Sequence, residues 1–155
     1  MEEFRYSEAG YRLTKEFEGC SLHAYADQGG VWTIGYGHTG PEVKEGLTIT
    51  QGQADELLDG DIAAAAGCVR RLVQRTIHQE QFDALVDFVF NLGCSSLEGS
   101  TLLGCVNAGR FEQAALEFLR WNHVHCTVVK GLTRRRKSEV DLFRKAIQPF
   151  AGASD

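Results

Sequence analysis

A chain of 155 residues, 43% hydrophobic and 24% charged, has the composition of a soluble globular protein. At this length roughly 70% of the unfolded surface becomes buried, so folding requires neither disulfides nor a structural metal. A net charge of −5 excludes a general attraction to nucleic acid or to an anionic wall polymer; only a local basic patch would supply one.

The first residues, Met1-Glu2-Glu3-Phe4-Arg5, contain no apolar core of a signal peptide, so none is expected. No apolar stretch approaches the ~20 residues that span a bilayer, so stable membrane insertion is not expected. Ser7 is placed to cap a helix running through Glu18, with Leu13 and Phe17 on one face and Gly19 as the stop. His23-Ala24-Tyr25-Ala26, Asp27-Gln28-Gly29-Gly30 and Val31-Trp32-Thr33-Ile34 then read as strand, turn and strand. Gly35, Gly37 and Gly40 make the rest of this segment, to about Gly46, rich in turns.

Thr50-Gln51-Gly52-Gln53 fits a capping box and predicts a long helix to about Gln74. Thr76-Ile77-His78-Gln79 repeats that signal and predicts a second helix from there. Phe82, Leu85, Val86, Val89 and Leu92 give it an apolar stripe. Phe88 and Phe90 lie on other faces, so burial nearly all round is expected, with Gly93 as the stop. Shorter helices are predicted over Thr101–Asn107, Phe111–Trp121 and Thr133–Ile147, with Pro149 and a small or polar tail marking the end.

Cys20, Cys68, Cys94, Cys105 and Cys126 are odd in number, include no CxxC, and are too widely spaced for a zinc site. They are expected to be reduced thiols. His123, His125 and Cys126 also lack zinc spacing, so no metal is expected. No GxSxG is present, and nothing around Cys20 resembles a cysteine peptidase or amidase site.

The chemistry concentrates between Glu18 and Thr39. Glu18 ends a helix, where the negative end of the macrodipole favours retention of a proton. Asp27 stands at a polar, glycine-flanked turn, and Thr33 brings a hydroxyl on the returning strand. Two carboxyls in such different surroundings are what glycosidic cleavage needs. Taken alone, the same residues also read as a solvated helix end and an ordinary turn former.

The spacing resolves that choice through a resemblance. Glu18, Asp27 nine positions on and Thr33 six further, flanked by Tyr25 and Thr33-Ile34-Gly35-Tyr36-Gly37-His38-Thr39, resemble the signature of glycoside hydrolase family 24, the phage-type lysozymes. Gln81-Phe82-Asp83-Ala84-Leu85-Val86, Phe90-Asn91-Leu92-Gly93 and Gly131-Leu132-Thr133-Arg134-Arg135-Arg136 with Glu139 are similar to later segments of that family. The resemblance implies a lysozyme-like α+β fold, mainly helical and two-lobed. A β-containing lobe would occupy about 19–49, and the first helix with about 76–148 would form the helical lobe, all within one catalytic domain of 1–155.

It also implies roles. Glu18 would be the acid; Asp27 and Thr33 would stabilise the transition state and position water, in an inverting reaction with carboxyls roughly 6.5–9.5 Å apart. Gly37, Thr39 and Phe90 would contact saccharide. His38 would pair with Asp61 and tie the β lobe to the long helix. Arg135, out of a basic run that otherwise reads as a solvated face, would reach toward Glu18 and oppose the helix-end effect on its proton.

The expected activity is that of a muramidase cutting the β-1,4 bond between N-acetylmuramic acid and N-acetylglucosamine. A cofactor-free monomer is expected, and the absence of a targeting segment fits an endolysin held in the host cytoplasm until a holin opens the way to peptidoglycan. A delivered bacterial effector lysozyme, a lytic transglycosylase and a glycan-binding module on the same scaffold are the alternatives. Asp27 with Thr33 speaks against the second of these, and Glu18 against the third. No separate wall-binding domain is expected, and thin Gram-negative peptidoglycan is the expected target.

Overall fold

The computed structural model describes residues 4–147; the expectations for Met1–Glu3 and for Pro149 and the tail fall outside them. Helix α1 spans Glu8–Glu18. The Ser7 hydroxyl accepts from Gly10 N–H, and Gly19, at φ 64°, turns the chain at the other end. Strands β1 (Ser21–Ala26), β2 (Trp32–Gly35) and β3 (His38–Thr39) follow in an antiparallel sheet of order β1-β2-β3. Tyr25 faces Thr33 and Ser21 faces Gly35, so β1 bulges between them. The free edge of β1 is covered by the loop that returns to it: Ala24 N–H donates to Leu47 O and Ile49 N–H to Leu22 O, both at 2.9 Å.

Helix α2 (Gln51–Leu72) opens with the predicted capping box at Thr50 and Gln53. At 22 residues it is about 33 Å long, enough to carry the chain from the sheet into the helical body. Helix α3 (Gln79–Leu92) is buried at every position from Gln81 to Val89, as its all-round apolar pattern predicts. It packs against α1, α2 and the last helix, α7 (Lys130–Arg144). The intervening α4 (Cys94–Glu98), α5 (Thr101–Asn107) and α6 (Phe111–Glu117) close the far side. Phe88, Phe118, Phe143 and Trp121 fill this core with edge-to-face ring contacts. No helix among the described residues is long and apolar enough to cross a membrane.

Several boundaries differ from expectation. Helix α3 starts at Gln79 rather than at a Thr76 cap. His78 N–H donates to the Gln81 side chain at 2.8 Å, while Ile77 and Phe82 are buried in the same cluster. That is a hydrophobic staple, and burying Ile77 before the cap moves the start two residues on. The helix predicted over Phe111–Trp121 tightens into a 3-10 turn at Phe118–Arg120. Helix α7 begins and ends three residues earlier than Thr133–Ile147. Unforeseen are β3, which adds a third strand where only turns were expected, α4, and a two-stranded hairpin, β4 (His123–Val124) with β5 (Thr127–Val128). It places His123, His125 and Cys126 in the open, with His125 and Cys126 at positive φ.

The expectation of five reduced thiols fails for two. Cys68 of α2 and Cys94 of α4 form a disulfide, their Cα atoms 6.0 Å apart across a 26-residue separation. Spacing alone could not reveal it, because only the packing of α2 against α4 creates the pair. Cys20, Cys105 and Cys126 are free thiols. Replacing Cys68 and Cys94 together by Ser is expected to lower stability by about 2–4 kcal/mol. Urea unfolding should show the same loss for the unmutated protein under reducing conditions and none for the double variant.

Candidate active site

Glu18 is the last residue of α1, and its carboxylate lines a cleft of about 420 Å³. Gly37 and Thr39 border the cleft on the sheet side, Asp61, Ala64 and Ala65 of α2 along its length, and Val89, Phe90, Asn91 and Cys94 on the helical side. Gly37 lies against Glu18 with φ 77°, and a Cβ there would collide with Glu18 Oε1. The glycine therefore serves both a left-handed backbone and the room the carboxylate occupies.

The predicted contact from α7 is present. Arg135 Nη1 donates to Glu18 Oε2 at 2.6 Å. The same guanidinium is held from behind by Asp87 of α3, through Nη2 to Oδ1 at 2.8 Å and Nε to Oδ2 at 2.9 Å. The Thr14 hydroxyl also donates to Asp87, and Tyr6 shares a hydrogen bond with Thr14. Phe17 and Phe90 lie 5.7 and 6.0 Å from the guanidinium, so part of the expected sugar-facing aromatic surface of Phe90 is turned to Arg135. Burial works against the charge of Arg135, but Asp87 and Glu18 outweigh it and hold its pKa above the ordinary value. Burial also pushes Asp87 upward; hydrogen bonds from Glu139, Arg135 and Thr14, with the arginine charge, bring it below the usual carboxylate range.

The basic run is thus not a solvated face. The helical period sends Arg134 and Lys137 to solvent and buries Arg135 and Arg136. Arg136 pairs with Glu139, Nη2 to Oε2 at 2.9 Å.

On the sheet side Asp27 occupies the exposed turn between β1 and β2. Its Oδ1 accepts from Gly29 N–H and Val31 N–H, both at 2.8 Å, which fixes the side chain. Thr33 is buried on β2 and donates its hydroxyl to Val31 O at 3.0 Å. Among the described residues no hydrogen bond joins Asp27 or Thr33 to Glu18, and neither lines the cleft that Glu18 does. His38 Nδ1 lies 2.7 Å from Asp61 Oδ2, the expected tie between sheet and α2, and Nε2 lies 2.7 Å from Glu42 Oε1. Partial burial lowers the His38 pKa, but the hydrogen bonds and charges of Glu42 and Asp61 prevail and raise it above 6.5.

The phage lysozyme family profile matches residues 15–139, which take in Glu18, Asp27, Thr33 and Arg135. The chain belongs to the phage lysozyme family. It is 42% identical to an endolysin of Bacillus phage B103 over 139 residues, 88% of this chain and 53% of that protein. An endolysin of Acyrthosiphon pisum secondary endosymbiont phage 1 is 38% identical over 144 residues, 90% of this chain and 98% of that one. The endolysin from Escherichia coli O157:H7 phage FAHEc1 superposes with a TM-score of 0.87 at 33% identity, over 94% of this chain and 97% of that chain. The chain spans about half the length of the Bacillus phage relatives it matches.

Within this phage lysozyme fold, the sequence reading missed Asp87 and Asn91. Both lay inside a run read as core, and only a charged or amide residue in an apolar α3 signalled them. Asp87→Ala would leave the Arg135 guanidinium buried and half-paired, an expected loss of about 3–5 kcal/mol in urea unfolding. Asp87→Asn, whose oxygen still accepts from Arg135, should lose less. For His38 the folded pKa is raised, so its contribution is complete below 6.5 and is lost as pH rises through the folded value. The melting-temperature gap between the protein and His38→Asn should therefore be wider at about pH 6 than at about pH 9.

Proposed function

We propose that this chain is a peptidoglycan hydrolase that cuts the β-1,4 bond between N-acetylmuramic acid and N-acetylglucosamine. The observation that carries the reading is Glu18 on the cleft wall, oriented by Arg135 and given room by Gly37. A glycan strand lying along the cleft brings a glycosidic oxygen to this carboxyl. Glu18 protonates the leaving oxygen as the C–O bond breaks. Asp27, its orientation set by two backbone N–H groups, stabilises the positive charge developing on the sugar and guides water to the opposite face, with Thr33 shaping the strand behind it. The product then carries an inverted anomeric centre. His38 with Asp61 holds the sheet against α2 so that the two sides of the cleft keep their spacing. Gly37, Thr39 and Phe90 contact the saccharide.

The names of the relatives, endolysins of phages, support a role in host lysis. We place the protein in the host cytoplasm before release, as a monomer in one catalytic domain, passed by a holin to the cell wall. Digestion of purified peptidoglycan tests the reaction. Reducing muramic acid ends should appear with the protein and fall by about 10²–10⁴-fold with Glu18→Gln. Anhydro ends would reassign it as a transglycosylase, and intact strands with the parent protein would sink the reading. Asp27→Asn should lower the rate while leaving the fold, read by thermal melting, unchanged.

A further inference from the structure

Asn91 sits near the end of α3, half-buried on the cleft wall between Phe90 and Cys94. Its amide cannot turn over freely. Arg136 behind it is wholly buried, and a guanidinium carries only donors. Arg136 Nη2 donates to Asn91 Oδ1 at 2.8 Å, and Nε lies 2.6 Å from Glu139 Oε1. Reversing the amide would set N–H against N–H inside the core and leave a buried donor without an acceptor, which is unfavourable. Asn91 therefore turns its oxygen inward and its Nδ2 away from Arg136. Among the described residues Nδ2 makes no hydrogen bond.

We infer that Asn91 is a specificity residue whose Nδ2 donates to the acetamido carbonyl of an N-acetylhexosamine unit. This rests on the glycan reading above and deepens it. A fixed donor selects an acceptor. Glu18 and Asp61 share the cleft and disfavour an anionic one, so an uncharged carbonyl fits better than a carboxylate. Ala64, Ala65 and Val89 line the same cleft and offer apolar surface to the acetamido methyl. A sugar whose acetyl group has been removed presents an amine, which supplies no carbonyl and, when protonated, only donors.

The substrate group and the residue can be varied against each other. On peptidoglycan from which N-acetyl groups have been stripped, the protein should lose about 10-fold or more in kcat/KM, mostly through KM. Asn91→Asp keeps an oxygen for Arg136 and exchanges the outward donor for an acceptor. It should show that loss already on acetylated peptidoglycan, with little further loss on the stripped material. An unchanged acetylated-to-stripped ratio in Asn91→Asp would overturn the proposal. Isotope-labelled protein gives a reading that needs neither turnover nor a mutant fold. The Asn91 side-chain amide resonances should shift with an N-acetylglucosamine oligomer and stay still with a glucosamine oligomer. Shifts in the cleft backbone without movement of this amide would refute the contact alone. Amide shifts without any release of reducing ends would refute the hydrolase reading and keep the contact. No shift anywhere with either oligomer would refute both.

Discussion

Arg135 is the joint on which the site is built. One planar guanidinium grips Asp87 through two nitrogens along one edge and Glu18 through its third nitrogen, and three helices meet at it: α7 gives the arginine, α3 the aspartate, α1 the glutamate. Removing the guanidinium from water is unfavourable unless its donors are met, and here they are met by two carboxylates of different exposure. The asymmetry divides the work. Asp87 is fully buried and acts as an anchor, while Glu18 is partly open to the cleft and remains available to a ligand. The core thereby reaches the functional surface through directional bonds as well as through packing.

The other wall of the cleft is placed by different means. The sheet is small, its buried contribution is little more than Ile34 and Thr33, and it leans on α2 through His38 and Asp61. Further along α2, the Cys68–Cys94 bond ties that helix to α4 beside the cleft. Helix α2 is thus pinned twice, by a hydrogen bond at the sheet and by a covalent bond in the body. Changes in its angle would be resisted at both places.

The sequence made much of this legible, for reasons that differ by element. Helices α1 and α2 carry their caps at Ser7 and Thr50, and local hydrogen bonding is a local signal. The contact of Arg135 with Glu18 came from resemblance; nothing in the basic run itself distinguishes Arg135 from Arg134 until the helical period is fixed from Lys130. The start of α3 was misplaced because Thr76 and His78 both offer a cap, and the choice falls to Ile77 seeking the core. The disulfide was invisible because it depends on two helices meeting. The β4–β5 hairpin was hidden because its turn residues, His125 and Cys126, are unusual at positive φ, where Asn and Gly are the familiar signals. Asn91 was overlooked because its meaning lies in Arg136, 45 positions away.

That distance has a counterpart in time. Glu18 and Arg135 are separated by 117 positions, so their bond closes a loop over most of the chain. A chain emerging from the ribosome exposes Glu18 early, and Asp87 midway, long before the arginine that orients them is free of the exit tunnel. Closing so long a loop comes late, since its entropy must be offset by contacts already formed. The cleft is completed only once α7 has been made, and a product terminated before it would carry the glutamate without the residue that aims it.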